Sequence, residues 1–404
     1  MNKGYKQTDI GVIPSDWDVK TYGDVFHFLK TANYSRAELS QIDEVKYIHY
    51  GDIHTRWNFH LDFSENVLPS ITDDKVKGYS LIQNGDIIMA DASEDYGGIG
   101  KSVEVKNIES TKAISGLHTF LFRDIKGYFI DGYKAYIHSI GIVKKQFDEL
   151  AVGMKVYGVS KTNLKKVLIP IPTKSEQTAI ATALSDSDAL ITSLEKLIAK
   201  KRNIKQGAMQ ELLQPKEGWE VKKLGEIGNV VMGQSPLSEF YNTEGVGLPL
   251  IQGNADIENR KTIIRSFTSV ITKRGKAGDI IMSVRAPVGE VSKATFNCCL
   301  GRGVCSISYK NEYLFHYLIF FEKSWVMLST GSTFDSVNSK QVKELEIPIP
   351  KFEDEQIRIA TILSDMDAEI AVFEKKLEKA KMVKQGMMQQ LLTGKIRLNY
   401  DLCD

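Results

Sequence analysis

This chain of 404 residues has few cysteines, no charge bias and no long apolar run. Its four cysteines form no C-x-x-C pair, so we predict neither a zinc site nor a disulfide framework and expect a reducing, cytoplasmic location. The formal net charge of +1 argues against a polybasic tail and against an acidic disordered chain. No segment approaches the roughly 18 consecutive apolar residues of a membrane helix, and the N-terminal residues do not form a signal peptide.

Catalytic motifs are also missing. The seven histidines form no H-E-x-x-H motif, and neither an EF-hand loop nor a G-x-S-x-G turn is present. Gly100, Lys101 and Ser102 match the end of a phosphate-binding loop, but Asp95 occupies the position that needs a glycine, and its carboxylate would repel phosphate. We interpret the acidic residues around Asp91 as a solvated loop and not as a metal site. The sequence therefore predicts a chain without catalytic residues, metal or cofactor of its own.

What the sequence does contain is a duplication. Residues 177–213 and 356–392 align without a gap at an offset of 179, and 20 of the 37 positions are identical. A Pro-Ile-Pro stretch precedes each copy. The repeat extends upstream, where Trp17 matches Trp219 and the run Gly-Asp-Ile-Ile-Met occurs at residues 85–89 and again at 278–282. The duplication predicts five segments: a globular domain at 1–170, a helix at 171–215, a second globular domain at 216–347, a second helix at 348–395 and a tail at 396–404.

The fold class expected is α+β, with two mixed α/β domains and two long helices. Short β-branched and aromatic runs bounded by Gly, Asn, Asp and Pro predict strands in the domains, and helical spacing appears at residues 131–150 and 312–328. Both duplicated segments carry apolar heptads, with a lysine (Lys205, Lys384) at one a position of each. We expect the helices to pair as an antiparallel coiled coil around a pseudo-twofold axis; the alternative is that each is a core helix of an ordinary domain. The seam residues chosen are Leu184, Ile191, Leu194, Ile198, Leu363, Ile370, Phe373 and Leu377.

Basic residues cluster in both halves of the sequence. Residues 260–310 contain ten Lys or Arg against two acids, and residues 144–166 contain six against two. Such stretches are typical of surfaces that bind a phosphate backbone, although a solvated face explains either one equally well. Amide, guanidinium and aromatic groups nearby can read base edges. The candidate DNA-binding residues are Tyr50, His54, Arg56, Lys155, Lys161, Gln234, Gln252, Asn254, Arg265, Lys276, Arg285 and Ser332, with Trp57 and Asn58 beside the first group.

Several of these motifs occur together in one known family. The opening residues 10–14 before Trp17, the run 233–236, the run 285–289 and the two Pro-Ile-Pro stretches followed by Glu-Gln resemble a specificity subunit of a type I restriction–modification system over essentially the whole chain. The first half departs from the pattern, because Ala92, Ser93 and Glu94 replace the Arg-x-Pro turn of the second half. The role of that first loop is therefore left open.

The resemblance implies a subunit without catalytic activity. Two target-recognition domains would each bind one half of a bipartite DNA sequence, and the coiled coil would set their spacing and dock two methyltransferase subunits. S-adenosylmethionine would be bound by those partners, while restriction subunits would use ATP and Mg. The rival interpretation is a scaffold protein with a coiled-coil core and no role on DNA.

Overall fold

The computed structural model describes residues 4–95, 97–151, 153, 157–328 and 336–398. The chain divides into a first unit, residues 1–193 with 376–404, and a second unit, residues 194–375. Each unit contains one β-rich domain and segments of two long helices.

In its described residues the first unit contains fourteen strands and four short α-helices, with three 3-10 helices at Arg36–Glu38, Asp73–Val76 and Lys134–Ser139. The helices are α1 (Tyr22–Val25), α2 (Tyr50–Thr55), α3 (Gly141–Leu150) and α4 (Lys161–Leu164), after which the long α5 (Lys174–Leu212) begins. The strands are β1 (Tyr5–Thr8), β2 (Gly11–Pro14), β3 (Asp18–Thr21), β4 (His27–Leu29), β5 (Val45–Ile48), β6 (His60–Asp62), β7 (Ser70–Ile71), β8 (Ile87–Ala90), β9 (Ala92–Ser93), β10 (Ser102–Lys106), β11 (Ala113–Ser115), β12 (Thr119–Arg123), β13 (Tyr157–Gly158) and β14 (Leu168–Ile171).

The part of the second unit that the structure describes contains thirteen strands and two 3-10 helices, at Ser238–Phe240 and Asn254–Asp256. Its α-helices are α6 (Leu224–Ile227), α7 (Tyr313–Leu328), α8 (Ser339–Lys343) and the start of the long α9 (Glu353–Leu391). The strands are β15 (Trp219–Lys223), β16 (Asn229–Met232), β17 (Tyr241–Asn242), β18 (Leu248–Ile251), β19 (Ile257–Glu258), β20 (Lys261–Thr262), β21 (Phe267–Thr268), β22 (Arg274–Gly275), β23 (Ile280–Ser283), β24 (Val291–Lys293), β25 (Cys298–Leu300), β26 (Val304–Ser308) and β27 (Glu346–Pro350).

The two domains share one sheet topology. The main sheet runs β4-β12-β8-β10-β6 in the first unit and β16-β26-β23-β24-β20 in the second, where β19 adds an edge. A second sheet has the order β11-β5-β7 in the first unit, and β25-β18-β21 repeats it with β22 and β17 outside. In both, the first-named pair (β11 with β5, β25 with β18) is parallel. The duplication expected from the sequence is therefore confirmed at the level of the fold.

The repeated Gly-Asp-Ile-Ile-Met runs form the central strands of the main sheets. All four residues of β8 and all four of β23 are buried, because both faces of each strand are covered. The apolar segment at residues 312–328 forms a single helix, α7, as its spacing predicted, and Tyr313 to Leu318 are all buried. The corresponding segment at 131–150 is helical only in two pieces, a 3-10 helix and α3, because Ile140 between them is extended.

The Trp and Pro-Ile-Pro motifs of each half pair with each other. Strand β3, which follows Trp17, pairs antiparallel with β14, and β15 pairs in the same way with β27. The next residues secure the start of the long helix, since the amide of Gln177 donates to the carbonyls of Tyr128 and Pro172. Gln356 repeats this arrangement with the carbonyl of Pro350. The Glu-Gln motif thus fixes where each long helix leaves its domain.

The long helices pair antiparallel, as expected. In the first unit the beginning of α5 packs against the end of α9, with Leu184 and Leu391 in one apolar core. In the second unit the end of α5 packs against the beginning of α9, and Met209 and Leu363 share a core. All eight chosen seam residues are covered, with Leu184, Ile198, Leu363 and Ile370 buried and Ile191, Leu194, Phe373 and Leu377 half-buried.

Each helix-pair segment contains an interhelical ion pair at a heptad a position, and in the second unit Lys201–Glu369 and Arg202–Glu374 also join the helices. In the first unit Lys384 Nζ lies within hydrogen-bonding distance of Asp188 Oδ1, and in the second unit Lys205 binds Asp367 in the same way. The two lysines are 179 residues apart, and so are the two aspartates. The polar intrusions at the heptad a positions are therefore paired charges that the duplication has copied.

Candidate DNA-binding site

In the first unit, α2 brings several of the candidate residues together. The rings of Tyr50 and His54 lie edge to face with their centroids 6.3 Å apart, and the centroids of the Tyr50 and His118 rings are 5.4 Å apart. His54 Nε2 lies 2.9 Å from the carbonyl oxygen of Ala92, which ties the helix to the loop after β8. His118 pairs with Asp91 at 3.2 Å. This surface thus combines aromatic edges with groups that donate and accept hydrogen bonds.

Two titratable groups on this surface are shifted by their surroundings. Burial raises the pKa of the Asp91 carboxyl, although His118 acts to lower it. Burial lowers the pKa of the Lys101 ammonium, which donates to the carbonyl of His54 at 2.8 Å. Lys101 therefore stabilises α2 through its bond to a carbonyl of that helix. This bond gives the lysine of the partial phosphate-loop motif a structural role.

Arg56 lies at the end of α2 and is exposed. Its guanidinium lies over the ring of Trp57 at 5.2 Å and donates to the carbonyl of Val67 at 2.9 Å. Trp57 itself is buried, while Asn58 is exposed. Stacking on a fixed indole leaves Arg56 with free donors at a defined place, which suits contact with phosphate or a base.

The remaining candidates of the first unit are lysines. Lys161 begins α4, and its ammonium lies over the ring of Phe28 at 5.1 Å. It follows β13, which pairs with β9 beside the His54 contact. Lys155 lies outside the described residues.

In the second unit, four turns meet beyond the same end of the main sheet. We call them the loop cluster, residues 233–236, 252–256, 284–290 and 301–303. Hydrogen bonds join them in sequence: Gln234 N to Leu300 O at 2.8 Å, Gly301 N to Ile251 O at 2.7 Å and Val284 N to Gly303 O at 2.9 Å. The candidates Gln234, Gln252 and Arg285 all lie here and are exposed. The structure thus brings together residues that are separated by up to 51 positions in the chain.

Asn254 belongs to the loop cluster but faces inward. Its Nδ2 donates to Glu290 Oε2 at 2.6 Å, and the carbonyl of Pro287 lies 3.4 Å away. Its Oδ1 is buried and has no hydrogen-bond partner among the described residues. Asn254 therefore holds the turn that carries Arg285, and its amide is not free to pair with a base.

The other candidates of the second unit are distributed more widely. Arg265 is exposed and donates to the carbonyl of Ala255 at 3.0 Å, at the edge of the loop cluster. Lys276 precedes β23 and Arg285 follows it, so these two residues lie at opposite ends of one strand. Ser332 lies outside the described residues.

The basic stretch at 260–310 is less positive than its composition suggests. Arg260, Lys293 and Lys310 form ion pairs with Glu322, Glu312 and Glu353, which lie beyond the stretch. The other seven cations are exposed and have no ion-pair partner in the part of the chain that the structure describes; they are Lys261, Arg265, Lys273, Arg274, Lys276, Arg285 and Arg302. Enough unpaired positive charge remains for a phosphate-binding surface.

Two surface residues were missed in the sequence. Arg302 stands in the loop cluster between Gly301 and Gly303, and His118 joins the Tyr50 surface with a left-handed backbone at φ 54°. The Gly-Arg-Gly run was a usable signal, since flanking glycines indicate a turn that packs closely against its neighbours. His118 had no such signal, because its contact with Tyr50 depends on pairing between distant strands.

Beneath both domains, polar groups contact the ion pairs of the helix seam. In the first unit Lys384 Nζ lies 3.8 Å from the ring centroid of Phe59, and Tyr136 donates to Asp188 at 3.2 Å. In the second, His316 Nε2 lies 2.9 Å from Ser364 Oγ, and burial lowers the pKa of His316 to about 4. Each domain is therefore joined to the helix segments of its own unit by a polar side-chain contact.

The described residues contain no group of three or more His, Cys, Asp or Glu side chains that could hold a metal ion. Nor is any helix in those ranges both long and apolar enough to cross a bilayer.

A family model described as the type I restriction modification DNA specificity domain matches the chain twice, at residues 14–206 and 216–382. The chain is 31% identical to the putative type I restriction enzyme MjaX specificity subunit of Methanocaldococcus jannaschii, over 98% of this chain and 97% of that one. It is 24% identical to the MjaVIII specificity subunit of the same organism, over 96% and 94% of the two chains.

Two solved structures have a similar fold. One comes from a type I restriction–modification system described for its complex assembly and conformational transition. It has a TM-score of 0.63 at 22% identity and covers 95% of this chain and 99% of that chain. The other is the type I S subunit of M. genitalium, with a TM-score of 0.59 at 16% identity, covering 93% and 96%. Both likenesses concern the fold.

Proposed function

Since the chain belongs to the family of type I restriction–modification DNA specificity subunits, we propose that its two domains each read one half of a bipartite DNA target. Members of this family are non-catalytic, and their partners are DNA and the other subunits of the restriction–modification complex. The observation that carries the proposal is the repeated architecture: one sheet topology, one Trp and Pro-Ile-Pro pairing and one seam ion pair each occur twice on antiparallel helices.

We assign residues 1–170 and 216–347 as the two target-recognition domains, and 171–215 and 348–395 as the spacer helices, with a tail at 396–404. In the first domain the reading surface would be the one around Tyr50 and His54. The loop cluster would take that role in the second domain. Phosphate contacts by lysine and arginine would set the position of each domain, and amide or guanidinium groups would discriminate bases.

The paired helices would act as a spacer between the two half-sites. A heptad is about 10.5 Å long, which corresponds to roughly three base pairs. Two methyltransferase subunits would dock on the helices, one for each half of the duplication. Those subunits would bind S-adenosylmethionine, and restriction subunits with ATP and Mg would complete a cytoplasmic assembly.

The rival proposal is a scaffold that uses the same surfaces for proteins alone. The seven exposed cations of the second unit, which lack an ion-pair partner in the described ranges, favour DNA. A surface that binds DNA phosphates loses affinity as salt rises, with a slope set by the number of contacts.

The test is a salt-titrated binding assay with the chain assembled on its methyltransferase subunit. Duplexes carrying the mapped target are compared with duplexes in which one half-site is scrambled. We expect a linear fall of log affinity with log salt, and Arg285→Ala should weaken binding only when the second half-site is intact. Salt-independent binding, or equal loss at both half-sites, would contradict the proposal.

A further inference from the structure

The turn between β25 and β26 presents one arginine, Arg302, flanked by Gly301 and Gly303. Its side chain is exposed and has no ion-pair partner among the described residues. The backbone N–H of Arg302 donates to Ser235 Oγ at 3.0 Å. The arginine therefore extends from a turn whose backbone is held by a hydrogen bond to another turn of the loop cluster.

The glycines around Arg302 are required by direct contact between backbones. A Cβ on Gly303 would lie 2.1 Å from the carbonyl oxygen of Gln252, and one on Gly233 would lie 2.1 Å from that of Gly301. A Cβ on Gly301 would lie 3.0 Å from Gln252 Cα. No side chain fits in these places, so the turns that carry Gln234, Gln252 and Arg302 hold one another rigidly. Rigid presentation is what base discrimination needs, since small displacements break bidentate hydrogen bonds.

Resting on the function proposed above, we propose that Arg302 reads a guanine in the half-site bound by the second domain, with Gln234 and Gln252 facing the neighbouring base pairs. The guanidinium can donate two parallel hydrogen bonds to guanine O6 and N7, and a glutamine amide can pair with adenine N6 and N7. The three exposed side chains come from turns that contact one another, so all three can face the same half-site.

Two other candidate residues of the second unit, Lys276 and Asn254, do not combine an exposed side chain with a rigidly held turn. Lys276 lies at the opposite end of β23, and its ammonium offers a point charge that suits phosphate and not a base edge. Asn254 is bonded to Glu290 within the protein. Unlike Lys276 and Asn254, Gln234, Gln252 and Arg302 combine exposure with turns that pack closely against one another.

The experiment uses the chain assembled with its methyltransferase subunit and a set of duplexes in which each base pair of the second half-site is replaced in turn. Wild type, Arg302→Ala, Arg302→Lys and the control Lys276→Ala are compared at fixed salt. We expect Arg302→Ala to lower the preference for one G·C pair by about 5- to 150-fold while discrimination at the other positions remains. Arg302→Lys should also lose it, because an ammonium cannot form the fork, and Lys276→Ala should retain it.

Uniform weakening of Arg302→Ala on all sequences with a smaller salt slope would identify a phosphate contact and overturn the inference. So would unchanged discrimination, or a second half-site that contains no G·C pair. Intact recognition of the first half-site shows that the variant is folded. If the wild-type complex itself fails to select a bipartite target, the proposed function fails with the inference; if wild type selects and Arg302→Ala matches it, only the inference fails.

Discussion

The junction between a long helix and the tryptophan strand is built differently in the two units. In the second unit α5 ends at Leu212, and the chain continues directly into β15 at Trp219. In the first unit the end of α9 meets Trp17 without a covalent link. There Tyr5 donates to the carbonyl of Gly394 at 2.9 Å, and Arg397 binds both Glu176 and Asp16. In the first unit, hydrogen bonds and ion pairs therefore hold the junction that a covalent chain connection holds in the second unit.

The glycine at this junction shows how close the contact is. Gly394 has φ 67°, and a Cβ there would lie 2.5 Å from Pro14 and 3.2 Å from the Trp17 ring. The duplication is therefore circularly arranged. The end of the second copy packs against the beginning of the first and completes the first unit. Because its junction is closed without a covalent link, the first unit should lose more stability than the second when a residue of the junction is substituted.

A second difference concerns charge inside the main sheets. Glu104 on β10 lies opposite Ile87, and Lys293 on β24 lies opposite Ile280, the matching residue of the repeated run. Glu104 is fully buried and accepts hydrogen bonds from the N–H groups of Gly132 and Ala135, while Lys293 binds Glu312. The same strand position therefore carries an acid in one unit and a base in the other, and each finds its partner at the start of the next helical segment. The order of the strands is the same in the two main sheets, whereas the charged residue at this position and its partners differ.

The largest effect expected at the junction is from Trp17→Ala. Trp17 is fully buried, and its indole donates to Glu176 at 2.6 Å, so its removal should cost about 4 kcal/mol of unfolding free energy. Trp219 is only half-buried, with a 3.3 Å bond to Glu355, and Trp219→Ala should cost about 2 kcal/mol. Urea denaturation followed by circular dichroism measures both. Equal losses would remove the asymmetry claimed for the two junctions.

The buried carboxyl predicts a pH dependence confined to the first unit. Burial raises the pKa of Glu104 to about 7, from an ordinary value of 4.5, against the opposing effect of Lys134. Since the folded-state pKa lies above the unfolded one, the contribution of Glu104 to stability is complete below about pH 4.5 and is lost as pH rises through 7, a fall of roughly 3 kcal/mol. Glu104→Gln should flatten that fall in a pH series of denaturation curves. A fall of the same size in the variant would assign the dependence to other groups.

A smaller effect is expected from Arg397→Ala. It leaves the buried carboxylate of Glu176 with the Trp17 indole N–H as its remaining hydrogen-bond partner among the described residues, which should cost about 2 kcal/mol. The matched control is Lys395→Ala, a nearby exposed residue of the same terminal segment, which should change stability little. Limited proteolysis should cut the Arg397→Ala variant sooner within the first unit. Loss of equal size in the control would assign the effect to the segment as a whole.

Sequence periodicity was sufficient to predict the large features. The heptads at Leu184 and Leu363 predicted the helix pair because their pattern is local, and the apolar runs within 85–89 and 278–282 predicted strands for the same reason. Their central place in the main sheets became known only from the structure. The partners of the seam lysines could not be predicted, since Asp188 and Asp367 are identified only once the helices are in register. Asn254 was chosen for its amide, yet that amide bonds to Glu290, a contact created by tertiary packing.

The reading surfaces were the least predictable part. Composition indicated a basic stretch but could not show that Arg260, Lys293 and Lys310 are paired with distant glutamates. Arg302 was passed over because its significance depends on backbone contacts between turns far apart in sequence. Lys155 and Ser332, outside the described residues, stay predictions together with the base-reading roles of the rest.

The spacing role of the paired helices is tested most directly by methylome mapping of a host that expresses the complete system with one heptad deleted from each helix. Removing residues 194–200 and 373–379 retains both seam ion pairs and the a and d register. The account predicts two unchanged half-site sequences separated by a spacer about three base pairs shorter. Active enzyme that methylates the original target with its original spacer would contradict it.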